Sequence, residues 1–363
     1  MAILNQIIKS HGAVFIRLFH ICGMKKVLVT GISGFLGLHI AAEGLRRGYA
    51  IRGTVRSENQ KQEVLKLFSS LMPEGRIEIC LANLLQAEGW DKAVEGCDGI
   101  MHVASPFILE IPKHEDDLIK PAVLGVKNVL EAALRQGVHR IVQTSSIAAI
   151  MYGHDRNKTH FNEDDWTKLE GPSISSYTKS KTLAEKEFWA IGHQNPSLQL
   201  TAINPGFVLG PLLNKDPGTS VQVLLKMMKG EYPGVPRLGF ATVDVRDVAV
   251  LHWNALEQNI SIGKRYPAVS STVWFAELAQ MILDFKPEFS SKVKARQLPD
   301  WFVRIFALFD KPTRMILPEL GFCAHISGEL AAHDFGFKPR PVVESVNASV
   351  ESIIEKGLIE VPG

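Results

Sequence analysis

Short apolar runs alternate with helical stretches over the first half of the chain, from Lys25 to about Ile203. This alternation is typical of βαβ units, in which parallel strands share one sheet and helices cover both of its faces. Strands covered on both faces are apolar along their whole length. Six segments have this character: Lys26–Thr30, Ile51–Val55, Ile77–Leu81, Gly99–Val103, Arg140–Thr144 and Leu200–Ile203. The pattern therefore predicts an α/β fold with a doubly wound parallel sheet.

The alternation of apolar runs and helical stretches becomes less regular after Ile203, and Pro and Gly become frequent between positions 205 and 236. We expect residues 24–203 to form the sheet domain and residues 204–363 to form mainly a smaller substrate-binding domain. Open α/β sheets bind ligands outside the carboxyl ends of their strands, which the second part would cover. Segments near Val243 and Tyr266 are predicted to return to the main sheet, so that the two domains interleave.

A second apolar cluster spans Trp301–Phe309 in the C-terminal half. Its composition would also suit a pocket lining or a membrane contact. Apolar clusters of this length are more often core, however, and no segment of the chain is long and apolar enough to be a membrane span. We interpret the cluster as core.

Composition indicates an ordinary globular protein with a small-molecule partner. The 363 residues carry a formal net charge of +2 without a run of like charges, which gives no reason to expect nucleic acid or an anionic membrane as partner. The four cysteines form no C-x-x-C pair and no H-E-x-x-H motif occurs, so neither a disulfide framework nor a metal site is expected. A G-x-S-x-G motif is absent, which argues against a serine hydrolase. We expect a cytoplasmic protein that is a monomer or a homodimer.

Residues 1–23 contain no acidic residue and mix apolar residues with Lys9 and Arg17, as some targeting segments do. The apolar stretch is too interrupted for a signal peptide and too short to span a bilayer. Because Met24 stands directly before the first predicted strand, we favour an N-terminal extension or a mis-assigned start. A targeting role stays open.

Three glycines follow the first predicted strand at three-residue spacing, at positions 31, 34 and 37 of Thr30-Gly-Ile-Ser-Gly-Phe-Leu-Gly37. In a strand-to-helix turn they would allow a tight turn, close approach of a pyrophosphate, and close packing of helix on strand. The free amides at the helix start favour bound phosphate. The motif predicts a dinucleotide site in a Rossmann fold, although any tight turn between strand and helix can use glycines.

Cofactor choice is expected at the end of the second strand, where an acidic residue would bind the ribose hydroxyls of NAD. This chain has Arg56 there, in Thr54-Val-Arg-Ser57. A guanidinium is suited to the 2′-phosphate of NADP, and Lys61 is placed to assist. The sequence therefore favours NADP(H) over NAD(H), the alternative being that Arg56 is a solvated surface residue.

Candidate catalytic groups follow the fifth strand. Ser145 and Ser146 stand at its end, on the same edge of the sheet as the glycine turn. Tyr177 and Lys181 stand four residues apart in a helical stretch and so share one face. A tyrosine has a reference pKa near 10, and a neighbouring ammonium would favour its phenolate.

At this point the chain resembles a known family, the extended short-chain dehydrogenases/reductases, through T-G-x-x-G-F-L-G, T-S-S and Y-x-x-x-K. The resemblance covers Lys25 to Leu358. Finer features are similar to the branch that contains dihydroflavonol 4-reductases, cinnamoyl-CoA reductases and microbial carbonyl reductases. These features are Thr54-Val-Arg56, His102-Val-Ala-Ser-Pro106, Gly125-Val-Lys-Asn128, Glu163-Asp-Asp-Trp166, Asn204-Pro-Gly-Phe-Val-Leu-Gly-Pro211 and Gly336-Phe-Lys-Pro-Arg340.

The resemblance implies NADPH-dependent reduction of an aldehyde or ketone to an alcohol. Tyr177 would be the general acid, and Lys181 would hold the nicotinamide ribose and lower the pKa of the tyrosine. Ser146 would bind the carbonyl oxygen, with Ser145 as the alternative. Further cofactor contacts are implied for Gly31, Ser33, Gly34, Phe35, Leu36, Gly37, Arg56, Lys61, Asn83, Leu84, Val103, Ala104, Ser105, Pro205 and Ser220. Asn83 stands where the family usually has an Asp against adenine, so it keeps an acceptor but no charge.

Met151 departs from the flavonoid reductases, which usually carry Asn or Asp five residues beyond the catalytic serine. A thioether cannot replace the hydrogen bonds of those groups. We therefore expect a less polar aldehyde or ketone as substrate.

Three other functions stay open on the same scaffold: a nucleotide-sugar epimerase or dehydratase, a sterol-type dehydrogenase, and a non-catalytic NADP sensor. Stoichiometric consumption of NADPH with simple aldehydes would exclude the epimerase. Sensors of this fold tend to lose the tyrosine and lysine that this chain retains, and fold alone does not decide function.

Overall fold

The structure is a computed structural model that describes residues 25–105, 114–172 and 174–362. The N-terminal segment 1–23, Met24 and Pro106 lie outside the described residues. The strands are β1 (Lys26–Thr30), β2 (Ala50–Val55), β3 (Ile77–Leu81), β4 (Gly99–His102), β5 (Arg140–Thr144), β6 (His160–Phe161), β7 (Gln199–Pro205), β8 (Phe207–Leu209), β9 (Gly239–Asp244), β10 (Arg265–Ala268), β11 (Ser271–Trp274) and β12 (His325–Ile326). The α-helices are α1 (Phe35–Arg46), α2 (Glu58–Leu71), α3 (Trp90–Val94), α4 (Asp116–Gln136), α5 (Ser176–Gln194), α6 (Gly218–Lys229), α7 (Val245–Glu257), α8 (Phe275–Phe285), α9 (Asp300–Phe306), α10 (Lys311–Ile316), α11 (Glu329–Phe335) and α12 (Val342–Glu355).

The central sheet has seven parallel strands in the order β3-β2-β1-β4-β5-β7-β10. Each of the six predicted strands is present, and their bounds differ from the prediction by no more than two residues at either end. The direction in which strands are added reverses at β1. The chain first adds β2 and β3 on one side of β1, and then crosses over to add β4 on the other side. A reversal of this kind opens a crevice at the carboxyl ends of the strands. The predicted doubly wound α/β fold is confirmed.

Helices cover both faces of this sheet, and the alternation of side chains along β1 shows how. Leu28 packs in one apolar cluster with Trp90 and Phe188, from α3 and α5. Its neighbour Val29 points to the opposite face and packs with Trp253 and other residues of α1, α2 and α7. Because both faces are buried, the strands are apolar throughout, which is why they are readable from the sequence.

The second half contributes one strand to the main sheet and builds a smaller sheet of its own. Tyr266 lies in β10, which pairs with β7 as predicted. The prediction that Val243 returns to the main sheet is wrong, because it lies in β9 of a separate sheet with the order β11-β9-β8. The free edge of β7 is taken by β10, so β9 pairs with β8 instead. The two parts of the chain thus interleave through β10.

The cluster Trp301–Phe309 is not core. Trp301, Phe302, Ile305, Phe306, Leu308 and Phe309 are 64%, 41%, 51%, 50%, 67% and 85% exposed. Only Val303 and Ala307, one helical turn apart, are buried in this stretch. A single turn of contact cannot bury residues around the whole circumference of a helix, so the apolar composition did not predict burial here. Within the described part of the chain, no helix is long and apolar enough to cross a membrane.

Candidate active site

A cleft of about 1030 Å³ opens at the carboxyl ends of the strands. Its walls come from the first βα turn, the ends of β2, β3 and β4, and residues 214–219 before and at the start of α6. Twelve of the predicted cofactor residues line it: Gly31, Ser33, Gly34, Phe35, Leu36, Gly37, Arg56, Asn83, Leu84, Val103, Ala104 and Ser105. The cleft therefore collects residues that are spread over 75 positions of sequence, Gly31 to Ser105.

The glycine turn has the geometry that its sequence predicts. Gly31 has a positive φ of 64°, and its amide donates to the Thr54 hydroxyl at the end of β2. A Cβ at Gly37 would lie 2.4 Å from the Gly31 carbonyl oxygen, so only glycine lets α1 begin this close to the turn. A Cβ at Gly34 would meet only that oxygen, at 3.5 Å, and would otherwise point into space that a pyrophosphate can occupy. The residues present thus fit a dinucleotide bound at the start of α1.

Arg56 and Lys61 have different surroundings. Arg56 directly follows β2, is exposed, and lines the cleft. Lys61 is outside the cleft lining and its ammonium pairs with Glu58 at 3.1 Å. Arg56 thus lines the cleft, whereas Lys61 is absent from its lining. Both ligand roles stay predictions.

Asn83 and Leu84 line the cleft after β3, the strand that pairs with β2. The Asn83 side-chain oxygen accepts from the amide of Leu85 at 3.0 Å, which fixes the side chain in a turn after β3. The Leu84 carbonyl accepts from the side chain of Asn128 on α4 at 2.8 Å. Asn128 therefore acts on the cleft indirectly, by holding its wall.

Thr30 and His102 organise the neighbouring wall. The Thr30 hydroxyl oxygen accepts from the amides of Val103 and Ala104, both at 3.0 Å, and lies 3.0 Å from Nδ1 of His102. Because that oxygen already accepts twice, its own hydrogen points at Nδ1, and the ring proton is on Nε2. Burial lowers the pKa of His102 to about 3, so the ring is neutral. It is a structural residue of the cleft.

The three hydroxyl residues at the end of β5 and directly after it have separate partners. The Thr144 hydroxyl lies 2.7 Å from Nε2 of His252 on α7, and the Ser145 hydroxyl donates to buried Glu185 at 2.5 Å. The Ser146 hydroxyl accepts from the amide of Ala148 at 3.1 Å and makes a side-chain hydrogen bond with Tyr177. Of the two serines, Ser146 is therefore the one that contacts Tyr177, whereas the Ser145 hydroxyl is bonded to buried Glu185.

Tyr177 and Lys181 lie on one face of α5, close to Ser146. Burial raises the pKa of Tyr177, and the hydrogen bond with Ser146 opposes that rise. The pKa of Tyr177 therefore lies above its usual value, unlike the lowered pKa expected from the sequence. Burial lowers the pKa of Lys181 to about 8, while the negative charge of Glu185 acts to raise it. The tyrosine is thus set to hold a proton at neutral pH.

Five predicted cofactor residues are absent from the cleft lining: Lys61, Tyr177, Lys181, Pro205 and Ser220. Pro205 is buried at the end of β7, and Ser220 is half-buried in the first turn of α6. The cleft lining includes Gly218 and Thr219 in place of Ser220. All five assignments stay predictions.

Residues near the catalytic side chains that the sequence analysis missed are Tyr152, Glu319, Glu185 and Arg265. Tyr152 hydrogen-bonds the Glu319 carboxyl, and its pKa is raised by burial, by Glu319 and by Tyr177. Met151, the residue used to argue for an apolar substrate, packs in a buried cluster with Ile150 and Phe161. Glu185 was detectable, since it lies one helical turn beyond Lys181. Tyr152 and Glu319 are 167 residues apart, so no sequence motif indicated that they would meet.

Among the described residues, no group of three or more His, Cys, Asp and Glu side chains is arranged to hold a metal ion.

Curated relatives of the chain include named reductases. It is 32% identical over 335 residues to cinnamoyl-CoA reductase CAD2 of Medicago truncatula, covering 91% of this chain and 96% of that protein. It is also 32% identical over 275 residues to tetraketide alpha-pyrone reductase 2 of Arabidopsis thaliana, covering 73% and 84%.

Solved structures show the same architecture. Yeast methylglyoxal/isovaleraldehyde reductase Gre2 complexed with NADPH matches with a TM-score of 0.76 and 25% identity, over 92% of this chain and 100% of that chain. Gre2 of Candida albicans in complex with NADPH matches with a TM-score of 0.76 and 27% identity, over 92% and 99%.

The family model for the NAD dependent epimerase/dehydratase family matches residues 27–267, which include the glycine turn, Ser146, Tyr177 and Lys181. With the reductases above as relatives, the chain belongs to the NAD dependent epimerase/dehydratase family and is an oxidoreductase of its dihydroflavonol reductase-like and carbonyl reductase branch.

Proposed function

We propose that this protein reduces an aldehyde or ketone to an alcohol, reversibly, with Ser146, Tyr177 and Lys181 as the catalytic residues. The cofactor is NADP(H). The observation that carries the proposal is the hydrogen bond between the Ser146 hydroxyl and the Tyr177 phenol. Tyr177 stands one helical turn before buried Lys181, and Ser146 stands two residues after Thr144, which lines the cleft.

Each of the three side chains has a task that its environment supports. Ser146 orients the substrate carbonyl oxygen through its hydroxyl group. Tyr177 donates a proton to that oxygen, and its raised pKa keeps the phenol protonated at neutral pH until the oxygen becomes more basic. Lys181, protonated below about pH 8, stabilises the phenolate that remains after proton transfer. When bound, NADPH supplies the hydride.

The proposal is tested by mixing the purified protein with NADPH and a panel of aldehydes, ketones and steroid-like carbonyl compounds. We expect loss of NADPH absorbance with formation of an equal amount of alcohol for at least one compound. If the protein binds NADPH but oxidises it with no compound of the panel, the result would instead favour a non-catalytic NADP sensor.

Uncharged carbonyl compounds are the proposed substrate class, and the ground is a carboxyl group near Tyr177 rather than Met151. Glu319 places a carboxyl group close to Tyr152 and, through it, to Tyr177. Burial raises the pKa of Glu319. A buried carboxyl group disfavours an anionic substrate beside it. We therefore expect uncharged carbonyl compounds to be reduced in preference to oxo acids.

Arg56→Ala is expected to weaken NADPH binding by roughly 10- to 100-fold, the range for loss of a charge-assisted hydrogen bond. NADH lacks the 2′-phosphate, so its affinity should change little. The measurement is a titration of protein fluorescence with each cofactor. Lys61→Ala is the matched control, because its ammonium is paired with Glu58 outside the cleft, and we expect less than a threefold change. An unchanged cofactor preference in Arg56→Ala would show that the arginine does not bind the phosphate.

A further inference from the structure

We propose that the exposed apolar face of residues 301–309 docks this protein on an anionic lipid surface. The apolar side chains enter the lipid, and the Lys and Arg residues of segment 292–314 meet the headgroups. The inference goes beyond the proposed reduction and does not depend on it. Three observations support it: the pattern of exposure along α9, the bonds that hold the turn after α9, and the local charge.

The apolar face consists of two adjacent rows of side chains along α9 and the turn that follows it. Val303 and Ala307, one helical turn apart, pack inward and attach the helix to the protein. On the outer side, apolar residues repeat at i, i+4 and i+7, which places them in rows along the helix. The six side chains are 41% to 85% exposed: Trp301, Ile305 and Leu308 in one row, and Phe302, Phe306 and Phe309 in the other. Exposed apolar residues are usually scattered singly, whereas a contiguous group marks an interaction surface.

The turn after α9 is held by hydrogen bonds from α10. The Arg314 guanidinium donates to the main-chain carbonyls of Ala307 at 3.0 Å and Leu308 at 2.8 Å. Because these bonds fix the backbone, the apolar side chains of the turn project from the protein, and Phe309 is 85% exposed. The apolar face is therefore organised before any partner binds.

The segment around the apolar face is strongly basic. Residues 292–314 contain six Lys and Arg but two Asp, a net charge of +4, compared with +2 for the whole chain. Asp300 is paired with Arg237 at 2.6 Å. The Asp310 carboxylate accepts from the Thr313 amide at 2.7 Å. The exposed cations are Lys292, Lys294, Arg296, Arg304 and Arg314. Aromatic and aliphatic side chains flanked by exposed cations are typical of segments that lie in the interface of an anionic bilayer.

The charge also argues against the occupants that the chain itself could supply. A second copy in a two-fold contact would bring the same net positive charge against itself. Residues 1–23 are partly apolar, but they carry Lys9 and Arg17 and no acidic residue. An acidic protein would match the charge, yet it would need a groove for side chains that project from the outside of a helix. A lipid surface yields around such side chains and supplies the negative charge.

The first test is co-sedimentation of the full chain with lipid vesicles. It compares vesicles of phosphatidylcholine alone with vesicles of about three parts phosphatidylcholine to one part phosphatidylserine. We expect the protein to bind the mixed vesicles about tenfold or more tightly, and high salt to weaken this binding because it screens the headgroup charge. Equal binding to both kinds of vesicle, or binding to neither, would overturn the proposal.

Trp301→Ser combined with Phe309→Ser removes two exposed aromatic side chains from the apolar face. We expect binding to the mixed vesicles to fall by about tenfold or more, because the aromatic area that enters the lipid is lost. Leu71→Ser combined with Ile260→Ser is the matched control, since both residues are 46% exposed and lie outside the segment. We expect the control to bind like the wild type.

Two further outcomes of this comparison are decisive. If the variant with both aromatic changes does not fold, as circular dichroism would show, Phe309→Ser alone is measured in its place. A folded variant that binds the mixed vesicles as tightly as the wild type does would disprove docking through this face. A wild type that binds no vesicles and forms a dimer that the variant lacks would assign the face to a second copy.

The fluorescence of Trp301 reports whether this face enters the lipid. All six tryptophans lie in the described part of the chain, and among them only Trp301 is exposed. We expect mixed vesicles to shift the emission to shorter wavelengths in the wild type and not in Trp301→Phe. An unshifted emission from vesicle-bound wild type would mean that another part of the chain makes the contact, contrary to the proposal.

Arg304→Gln tests the charge without changing the apolar rows. We expect binding to the mixed vesicles to weaken by about fivefold, the usual effect of one cation near an anionic surface. Lys356→Gln removes an exposed cation outside the segment and should change binding by less than about twofold. Equal effects of the two substitutions would show that only the total charge matters, and would remove the role of segment 292–314.

Discussion

Tyr177→Phe is expected to lower NADPH-dependent carbonyl reduction by about 10²–10⁴-fold, the contribution usual for a general acid. The ring remains and packs as before, but no proton reaches the carbonyl oxygen. Because the phenol hydroxyl lies beside Ser146 rather than in the phosphate end of the cleft, NADPH affinity should stay within about threefold of the wild type. Turnover is followed by NADPH absorbance, and binding by fluorescence titration.

Tyr152→Phe is the matched control, since it removes a second tyrosine hydroxyl close to the first. That hydroxyl is bonded to Glu319 and has no part in the proposed proton transfer. We expect less than a tenfold loss of kcat/KM. Turnover that survives in Tyr177→Phe would refute the assignment of the acid, and equal losses in both variants would assign the effect to the hydrogen-bond network.

Gly37→Ala is expected to abolish measurable NADPH binding and to destabilise the fold by roughly 1–3 kcal/mol, as overpacking usually does. The new Cβ would lie 2.4 Å from the Gly31 carbonyl oxygen and 3.0 Å from Cα of Ile32. Both are backbone atoms, so the turn or the helix must move. Binding is measured by titration and stability by thermal unfolding.

Gly34→Ala separates the two consequences. Its Cβ would make an ordinary contact of 3.5 Å with the protein and point toward the expected pyrophosphate. We expect a melting temperature within about 2 °C of the wild type, with NADPH binding weakened at least tenfold. A Gly37→Ala protein that melts like the wild type would show that the turn relaxes freely, contrary to the packing argument.

The fold was largely predictable because its signals are local. Each buried strand is a continuous apolar run, and each strand-to-helix turn has its own small residues. The glycine turn, Arg56 and the Tyr177–Lys181 spacing also depend on neighbours within one turn or one strand. Twelve predicted cofactor residues line a single cleft because the carboxyl ends of parallel strands meet at one edge of the sheet.

Errors arose where contacts between distant segments decide the outcome. Val243 has the apolar character of a sheet strand, but which sheet it joins depends on β10 occupying the edge of β7. The residues of Trp301–Phe309 are apolar, yet no other element of the described chain covers most of them. The amino-acid composition of a segment does not reveal which other segments will pair with it or cover it.

By itself, the sequence predicted the parallel sheet, the dinucleotide turn and the candidate residues Tyr177 and Lys181, because short-range spacing specifies them. Tertiary structure alone decided the raised pKa of Tyr177, and that Ser146 is hydrogen-bonded to this tyrosine while Ser145 is bonded to Glu185. Burial and hydrogen bonding set these properties, and both depend on residues such as Arg265 that lie far away along the chain.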